Sequence, residues 1–304
     1  MCRLLSYNVA ILNSKFRYGN FFNYINSFDI FFLYETHVLF DNRIKFSSYF
    51  TNYVLFWIDA KKTNNMGRPK GGCLYGFKKS LERKYSLKFC VFDNGVILGA
   101  KINNLFFYFV PRYISCTNWK DDFNKFEKLL YGLNDAQLCI VGDLNARVGN
   151  EQIVNEDLLI NCPLLVPNRK SRDEVIDSKG RKLLKLFDDI GGVIVNGRIM
   201  SDSEGENTFC GVMGSSMIDY CVCSLEVLEL LRHFQISHKP FSDHFPLIFH
   251  FSSENDDVKD MSLLPKIPWL PNKETAYKDA LEKLPSVDYL FKNISIDDMQ
   301  SAVV

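Results

Sequence analysis

The stretch LCIVGDLNARVG, residues 138–149, decides how the rest of the chain is read. Its apolar opening has the length and β-branched content of a buried strand, and GDLN has the composition of a turn. Asp143 and Asn145 therefore stand at the end of a strand. A carboxylate there is costly to bury unless it is paired, hydrogen-bonded or set against a cation.

The same pattern recurs along the chain. Apolar, β-branched or aromatic runs at 3–10, 30–36, 105–111, 138–145, 217–223 and 246–251 each border a polar cluster. Their ends supply Asn8, Glu35, Asp143, Asn145, Asp219, Asp243 and His244. Singly, each has a mundane account: a capped turn, an exposed strand end, an Asx-turn. Seven together, on strands that lie side by side, would converge at one edge. Between the strands, 121–133, 177–192 and 224–234 repeat apolar residues at helical spacing. Asp121 or Asp122, and Ser224, are placed to cap two of these helices, and Gly191–Gly192 to end the third. Strands and helices mixed in one long domain predict an α/β sandwich with sheets inside and helices outside.

Composition narrows the classes. The 304 residues are 47% hydrophobic, enough for one large core plus an extension. No run of about 18 apolar residues is present, so no membrane span is expected. Nine scattered cysteines without metal-binding spacing suit free thiols in a reducing compartment. With no signal-peptide pattern, the expected location is intracellular, in nucleus or cytoplasm. Net charge is zero, yet residues 61–88 carry nine Lys/Arg against one acid, Glu82. That segment is either a phosphate-neutralising patch or an ordinary solvated hairpin. Domain organisation reads as 1–251 globular, then 252–304 as an acidic linker and a short helical tail, the helix running from about 273 to 284.

An oxygen-rich cluster suits a hard cation such as Mg²⁺, with Mn²⁺ as a substitute, and a single imidazole beside acids suits one oriented by a carboxylate. Cation, acid and imidazole together describe hydrolysis of a phosphate ester.

SYNVA, YETH, GDLNAR, SMIDY and SDHFP resemble, in order and spacing, the endonuclease/exonuclease/phosphatase superfamily over residues 1–251. GDLNARVG, the segment 177–198, NTF and GSSMIDYCVCS are similar to the endonuclease domains of invertebrate LINE-type (non-LTR) retrotransposons. The tail KIPWLPNKETAYKDALEKL resembles the segment that precedes the reverse transcriptase in such polyproteins. No Tyr-x-Asp-Asp motif of that polymerase occurs in the chain.

The resemblance implies a DNase I-like, four-layer α/β (α+β) sandwich of two mixed β-sheets flanked by helices. It implies a Mg²⁺-dependent DNA endonuclease that nicks one strand to leave a 3′-hydroxyl. Glu35, Asn8 and Asp243 would hold the metal. Asp143 would activate water, Asn145 would hold that water or a phosphate oxygen, and His244, oriented by Asp219, would contact the scissile phosphate. Thr208 and Ser216 match positions near the substrate. One departure stands out: Phe109 occupies the position of a family tyrosine, and Arg112 that of an asparagine. Losing a phenol donor costs about 10²–10³-fold unless Tyr108 or Tyr113 replaces it. Arg112 is either a phosphate clamp or simply an exposed cation. Two other readings remain: a phosphodiesterase of lipid or inositol phosphates, and a weakened relic that only binds nucleic acid. Within the strand after Asp243 and His244, His250 reads as a packed bystander.

Overall fold

The computed structural model describes residues 1–252, apart from 63–66, 134 and 240. The linker and tail helix expected over 252–304 lie, from residue 253 on, outside the described residues.

Fourteen strands form in chain order: β1 (Cys2–Asn8), β2 (Ile30–Tyr34), β3 (Tyr53–Ile58), β4 (Cys73–Lys78), β5 (Lys88–Phe92), β6 (Gly95–Ile102), β7 (Leu105–Tyr113), β8 (Leu138–Asp143), β9 (Val193–Ile194), β10 (Phe209–Gly211), β11 (Gly214–Ser216), β12 (Asp219–Cys223), β13 (Leu231–Ile236) and β14 (Leu247–Phe251). Two six-stranded mixed sheets result, ordered β13-β14-β1-β2-β4-β3 and β5-β6-β7-β8-β12-β9, and β10–β11 is a separate hairpin. The helices are α1 (Phe21–Asn26), α2 (Arg43–Ser47), α3 (Trp119–Gly132), α4 (Ser178–Asp189) and α5 (Leu225–Leu228).

Three apolar clusters define the layers. Phe32, Phe109, Cys139, Cys221, Phe249 and Phe251 pack between the sheets. Phe126, Leu130, Leu183 and Phe187 seal α3 and α4 onto the second sheet, and Phe21, Ile25, Phe46 and Phe50 seal the first. The architecture is thus a four-layer sandwich of two mixed sheets with helices outside, as the resemblance implied.

Local signals account for most elements. The Asp177 carboxylate accepts the Gly180 N–H at 2.6 Å and starts α4, which ends at Gly191 with φ +64. Gly142 has φ +143, and a Cβ there would lie 1.9 Å from the Arg112 carbonyl oxygen, so only glycine lets β7 and β8 approach.

Three expectations need correction. The helical pattern at 224–234 forms only the single turn α5; from Leu231 the chain becomes β13, an edge strand on β14. Leu228, Leu230, Leu231 and Phe234 face the inter-sheet core in either conformation, so burial did not discriminate and pairing decided. The Ser224 hydroxyl accepts the Leu138 N–H rather than capping α5. Likewise Asn118, not Asp121 or Asp122, holds the cap position of α3, because the Asp122 carboxylate accepts the Ser115 N–H at 3.2 Å.

Candidate active site

β1 and β2 run parallel with Asn8 beside Tyr34, so Asn8 and Glu35 leave the first sheet at the same edge. β8 and β12 are antiparallel partners in which Asp143 directly faces Asp219. His244 precedes β14 and bridges to Phe209 of the hairpin. Asn8, Glu35, Asp143, Asn145, Asp243, His244 and Ser216 line one cavity of about 400 Å³. The sheets thus meet at an edge that carries a polar residue from almost every strand reaching it.

Within the cavity the buried groups satisfy one another. Asn8 Nδ2 donates to Asp143 Oδ2 at 2.9 Å, and the Asn145 N–H donates to Asp143 Oδ1 at 3.0 Å. Asn145 Nδ2 donates to the Ile114 carbonyl, which leaves its side-chain oxygen toward the cavity. His244 Nδ1 lies 2.9 Å from Asp219 Oδ2, and its ring packs edge-on against Phe209. The carboxylate makes Nδ1 the protonated nitrogen and turns Nε2 toward Asp143 Oδ2, 3.8 Å away, too far for a hydrogen bond. Asp219, behind the imidazole, is fixed by its own backbone: the Thr208 hydroxyl accepts the N–H groups of Ile218 and Asp219, both at 3.0 Å. Thr208 is fully buried and reaches the cavity only through these bonds.

The charges are strongly perturbed. Burial pushes the Asp143 carboxyl up, to about 8, and neighbouring Asp219 adds to this against the pull of His244. Burial alone would lower His244, but Asp219, then Asp143 and Asp243, carry it up to about 10. Glu35 and Asp243 line the same cavity, so its acids outnumber the one imidazolium, and a cation relieves their crowding. Among the described residues, Asp143, Asp219 and His244 place ligand atoms within 4.8 Å of one another. The surrounding donors on Glu35, Asn8 and Asp243 are oxygens, the set a hard divalent ion takes.

Phe109 lies elsewhere than the resemblance implies, and Arg112 borders the cavity it shares with Glu35 and Tyr113 rather than the one that holds Asp143 and His244. Phe109 is fully buried between the sheets, with its ring centroid 4.9 Å from Phe107 and 5.7 Å from Phe251. Arg112 sits on the opposite face of β7, where its guanidinium donates to the Asn94 and Asp122 carbonyls and stacks over Phe126. Strand alternation is the reason: 109, 111 and 113 face inward, 110 and 112 face α3. β7 runs four residues past Phe109, and its last residue, Tyr113, pairs with Asp143 and donates its hydroxyl to Glu35 Oε1. Tyr113 therefore takes the place proposed for a replacement phenol; Tyr108 does not.

Other residues at the cavity escaped the sequence reading. The Arg147 guanidinium is clamped on buried Asp173, Nε to Oδ2 at 2.7 Å, beside the acids. Lys15, 2% exposed, donates to the Phe241 carbonyl at 2.6 Å and ties the Asp243–His244 loop to the segment after β1. Nothing in periodicity marks either residue, since their partners are distant in sequence. The basic segment is divided by β4. Lys61 and Lys70 border a cavity shared with Glu35, whereas Lys78 pairs with Asp29 at 2.9 Å at the other end of the strand.

Solved structures share this architecture. The AP endonuclease LMAP from Leishmania major matches with a TM-score of 0.63 at 12% identity, over 83% of this chain and 88% of that one. At such identities the likeness is one of fold: the chain has a DNase I-like sandwich. The endonuclease domain of TRAS1, a telomere-specific non-LTR retrotransposon, matches at TM-score 0.53 and 14% identity over 82% and 97% of the two chains. The 3′ phosphatase NExo from Neisseria, bound to a product DNA hairpin, matches at 0.56 and 14% over 83% and 100%. No protein-family model matches the chain, and neither does any curated protein. No helix among the described residues is long and apolar enough to cross a membrane.

Proposed function

We propose that the chain is a Mg²⁺-dependent DNA endonuclease of LINE-type retrotransposon descent that nicks one strand to leave a 3′-hydroxyl. Residues 1–251 form the nuclease domain, and 252–304 resemble its connector to a reverse transcriptase. The observation that carries this reading is the meeting of Asn8, Glu35, Asp143, Asn145, Asp243 and His244 around one cavity, with Asp219 behind the imidazole.

Glu35, Asn8 and Asp243 fit a divalent cation, which when bound supplies polarisation of a phosphoryl oxygen. Nearby positive charge favours ionised Asp143, which takes a proton from the attacking water while the Asn145 side-chain oxygen orients that water. His244, held as imidazolium by Asp219, donates Nε2–H to a phosphate oxygen as negative charge develops there. Tyr113 keeps Glu35 in position through its hydroxyl. Arg147, pinned by Asp173, stands beside the acids as a contact for a flanking phosphate. Lys61 and Lys70 line the neighbouring cavity, of about 680 Å³, along which a DNA backbone would run.

Conversion of supercoiled plasmid to the nicked form, with and without Mg²⁺, tests the proposal. Wild-type nicking that depends on Mg²⁺ and disappears in Glu35→Ala supports it. Absence of nicking, or nicking identical in the Glu35→Ala protein, defeats it. Release of phosphate from an inositol phosphate instead would favour the other substrate class of the fold.

A further inference from the structure

Away from the catalytic edge, two histidines face each other on neighbouring strands of the first sheet. His233 of β13 and His250 of β14 are register partners, with ring centroids 5.0 Å apart at 35°. The register is made by a bulge: Leu231 opposes Phe251, Arg232 is passed over, and His233 falls opposite His250. Bulges re-aim a side chain in this way, and without this one an arginine would face His250. On β14, Phe249 and Phe251 point between the sheets and His250 points to the outer face.

Both imidazoles carry unpaired ring nitrogens. His250 is 3% exposed, yet neither Nδ1 nor Nε2 makes a hydrogen bond, and His233 Nε2 is also buried and unpaired. Buried unpaired ring nitrogens are rare, and a bound ion is one of the few things that accounts for them. Both rings are in the form that ligates. Burial, then His233 and Arg3, push His250 down to about 4; burial likewise lowers His233, against a hydrogen bond with Gln235. Neutral imidazole is the commonest metal ligand. The other charged groups acting on His250 are Arg3, whose guanidinium lies over the Phe28 ring, the N-terminal amino group, and Asp29, whose carboxylate offsets them.

We infer that His233 and His250 form a cross-strand site for a transition-metal dication of the Zn²⁺ class, clipping edge strand β13 to β14. Two nitrogens on one zinc, each about 2.0–2.1 Å from it, lie within about 4 Å of each other, and the two ring centroids here are 5.0 Å apart. Water completes the shell. The site is separate from the catalytic cavity: His250 pairs with Arg3, five residues along β1 from Asn8, about 16 Å at the rise of a strand. It is also chemically distinct, since Mg²⁺ prefers oxygen and does not compete for imidazole nitrogen.

The test is calorimetric titration of the whole chain with Zn²⁺ in excess Mg²⁺, with thermal unfolding measured alongside. The expected result is one Zn²⁺ per chain and a raised Tm. Affinity should fall at least roughly tenfold in His233→Gln and in His250→Gln, while His244→Gln and Cys221→Ser retain it. Plasmid nicking by His233→Gln should equal wild type, which separates this site from the catalytic one. His233 is only half-buried, so its variant decides the matter where His250→Gln fails to fold. No Zn²⁺ binding by the wild type, or histidine variants that keep wild-type affinity, overturns the site.

Discussion

Strands β8 and β12 carry two triplets of ligand-type side chains. At one end Cys139, Cys221 and Cys223 converge, with Cys139 and Cys223 as register partners and their sulfurs 3.6 Å apart. Four residues along, Asp143 and Asp219 are partners in the same ladder and meet His244. Both triplets are buried, but they obey different physics. A thiol behaves as a small hydrophobe that can pack in the core; burial pushes the Cys139 and Cys223 thiols up, while hydrogen bonds with those two outweigh burial at Cys221 and bring it down, to about 5. Carboxylates and imidazole cannot be buried on those terms. Asn8 and Asn145 donate to the Asp143 carboxylate, Asp219 pairs with His244, and a cavity opens beside them. Shared strands and shared burial do not make a site; polar groups that must be satisfied do.

The largest effects should come from the acidic end. His244→Gln removes the only imidazolium of the cavity and is expected to slow nicking about 10²–10³-fold, while near-ultraviolet circular dichroism shows an intact core. A loss below tenfold would break the contrast between the two triplets.

Asp143→Asn should cost about 10²–10⁴-fold in nicking, yet it should not lower stability. In the fold Asp143 holds a proton up to about 8, against 3.8 ordinarily. The folded state therefore binds the extra proton, and wild-type stability in chelator should fall as pH rises between these values. Denaturant unfolding should show the slope in wild type and lose it in the asparagine variant below pH 6.5, above which His244 contributes a slope of its own.

The two aromatic positions of β7 sharpen the same point. Tyr113→Phe should reduce nicking about tenfold and raise the Mg²⁺ concentration needed, because Glu35 loses its hydrogen bond. Phe109→Tyr should restore nothing and should destabilise by about 1–3 kcal/mol, a hydroxyl buried among phenyl rings without a partner. Higher activity in Phe109→Tyr would show that this ring, not Tyr113, belongs to the site.

Among the thiols, Cys221→Ala should cost about 1 kcal/mol of stability and leave nicking unchanged. The smallest change in stability is expected for Val212→Ser with Met213→Ser. These side chains are wholly exposed at the tip of the β10–β11 hairpin, whose base is hydrogen-bonded to the Asp243–Phe245 segment. Tm should stay within about 1 °C, and any effect should appear in KM for DNA rather than in kcat.

Much of the candidate site's lining was legible before the fold. SYN, YET, GDLN, MID and SDH each set a polar residue at the end of an apolar run, and in the fold those ends meet because β1, β2, β8, β12 and the approach to β14 point to one edge. That is local chemistry, readable one strand at a time. The misplacements have a common cause. Phe109 and Tyr113 stand on the same face of the same strand, and only the length of β7 beyond the core tells which one reaches Glu35. Arg112 was placed by position in a motif, although strand alternation turns it toward α3. The run 224–234 suited a helix or a strand equally, until a free edge of β14 decided. Lys15 and Arg147 gain their roles from Phe241 and Asp173, partners that sequence proximity does not reveal.

The amino-acid sequence by itself determined the alternation of elements, the layered α/β class and the order of polar strand ends, because those rest on periodicity and on what a side chain costs to bury. Tertiary structure alone decided which polar groups share one cavity, how far the acid and imidazole charges shift, and that a bulge brings His233 opposite His250. Each of these depends on distances between segments remote in sequence. Packing sets such distances; local preference does not.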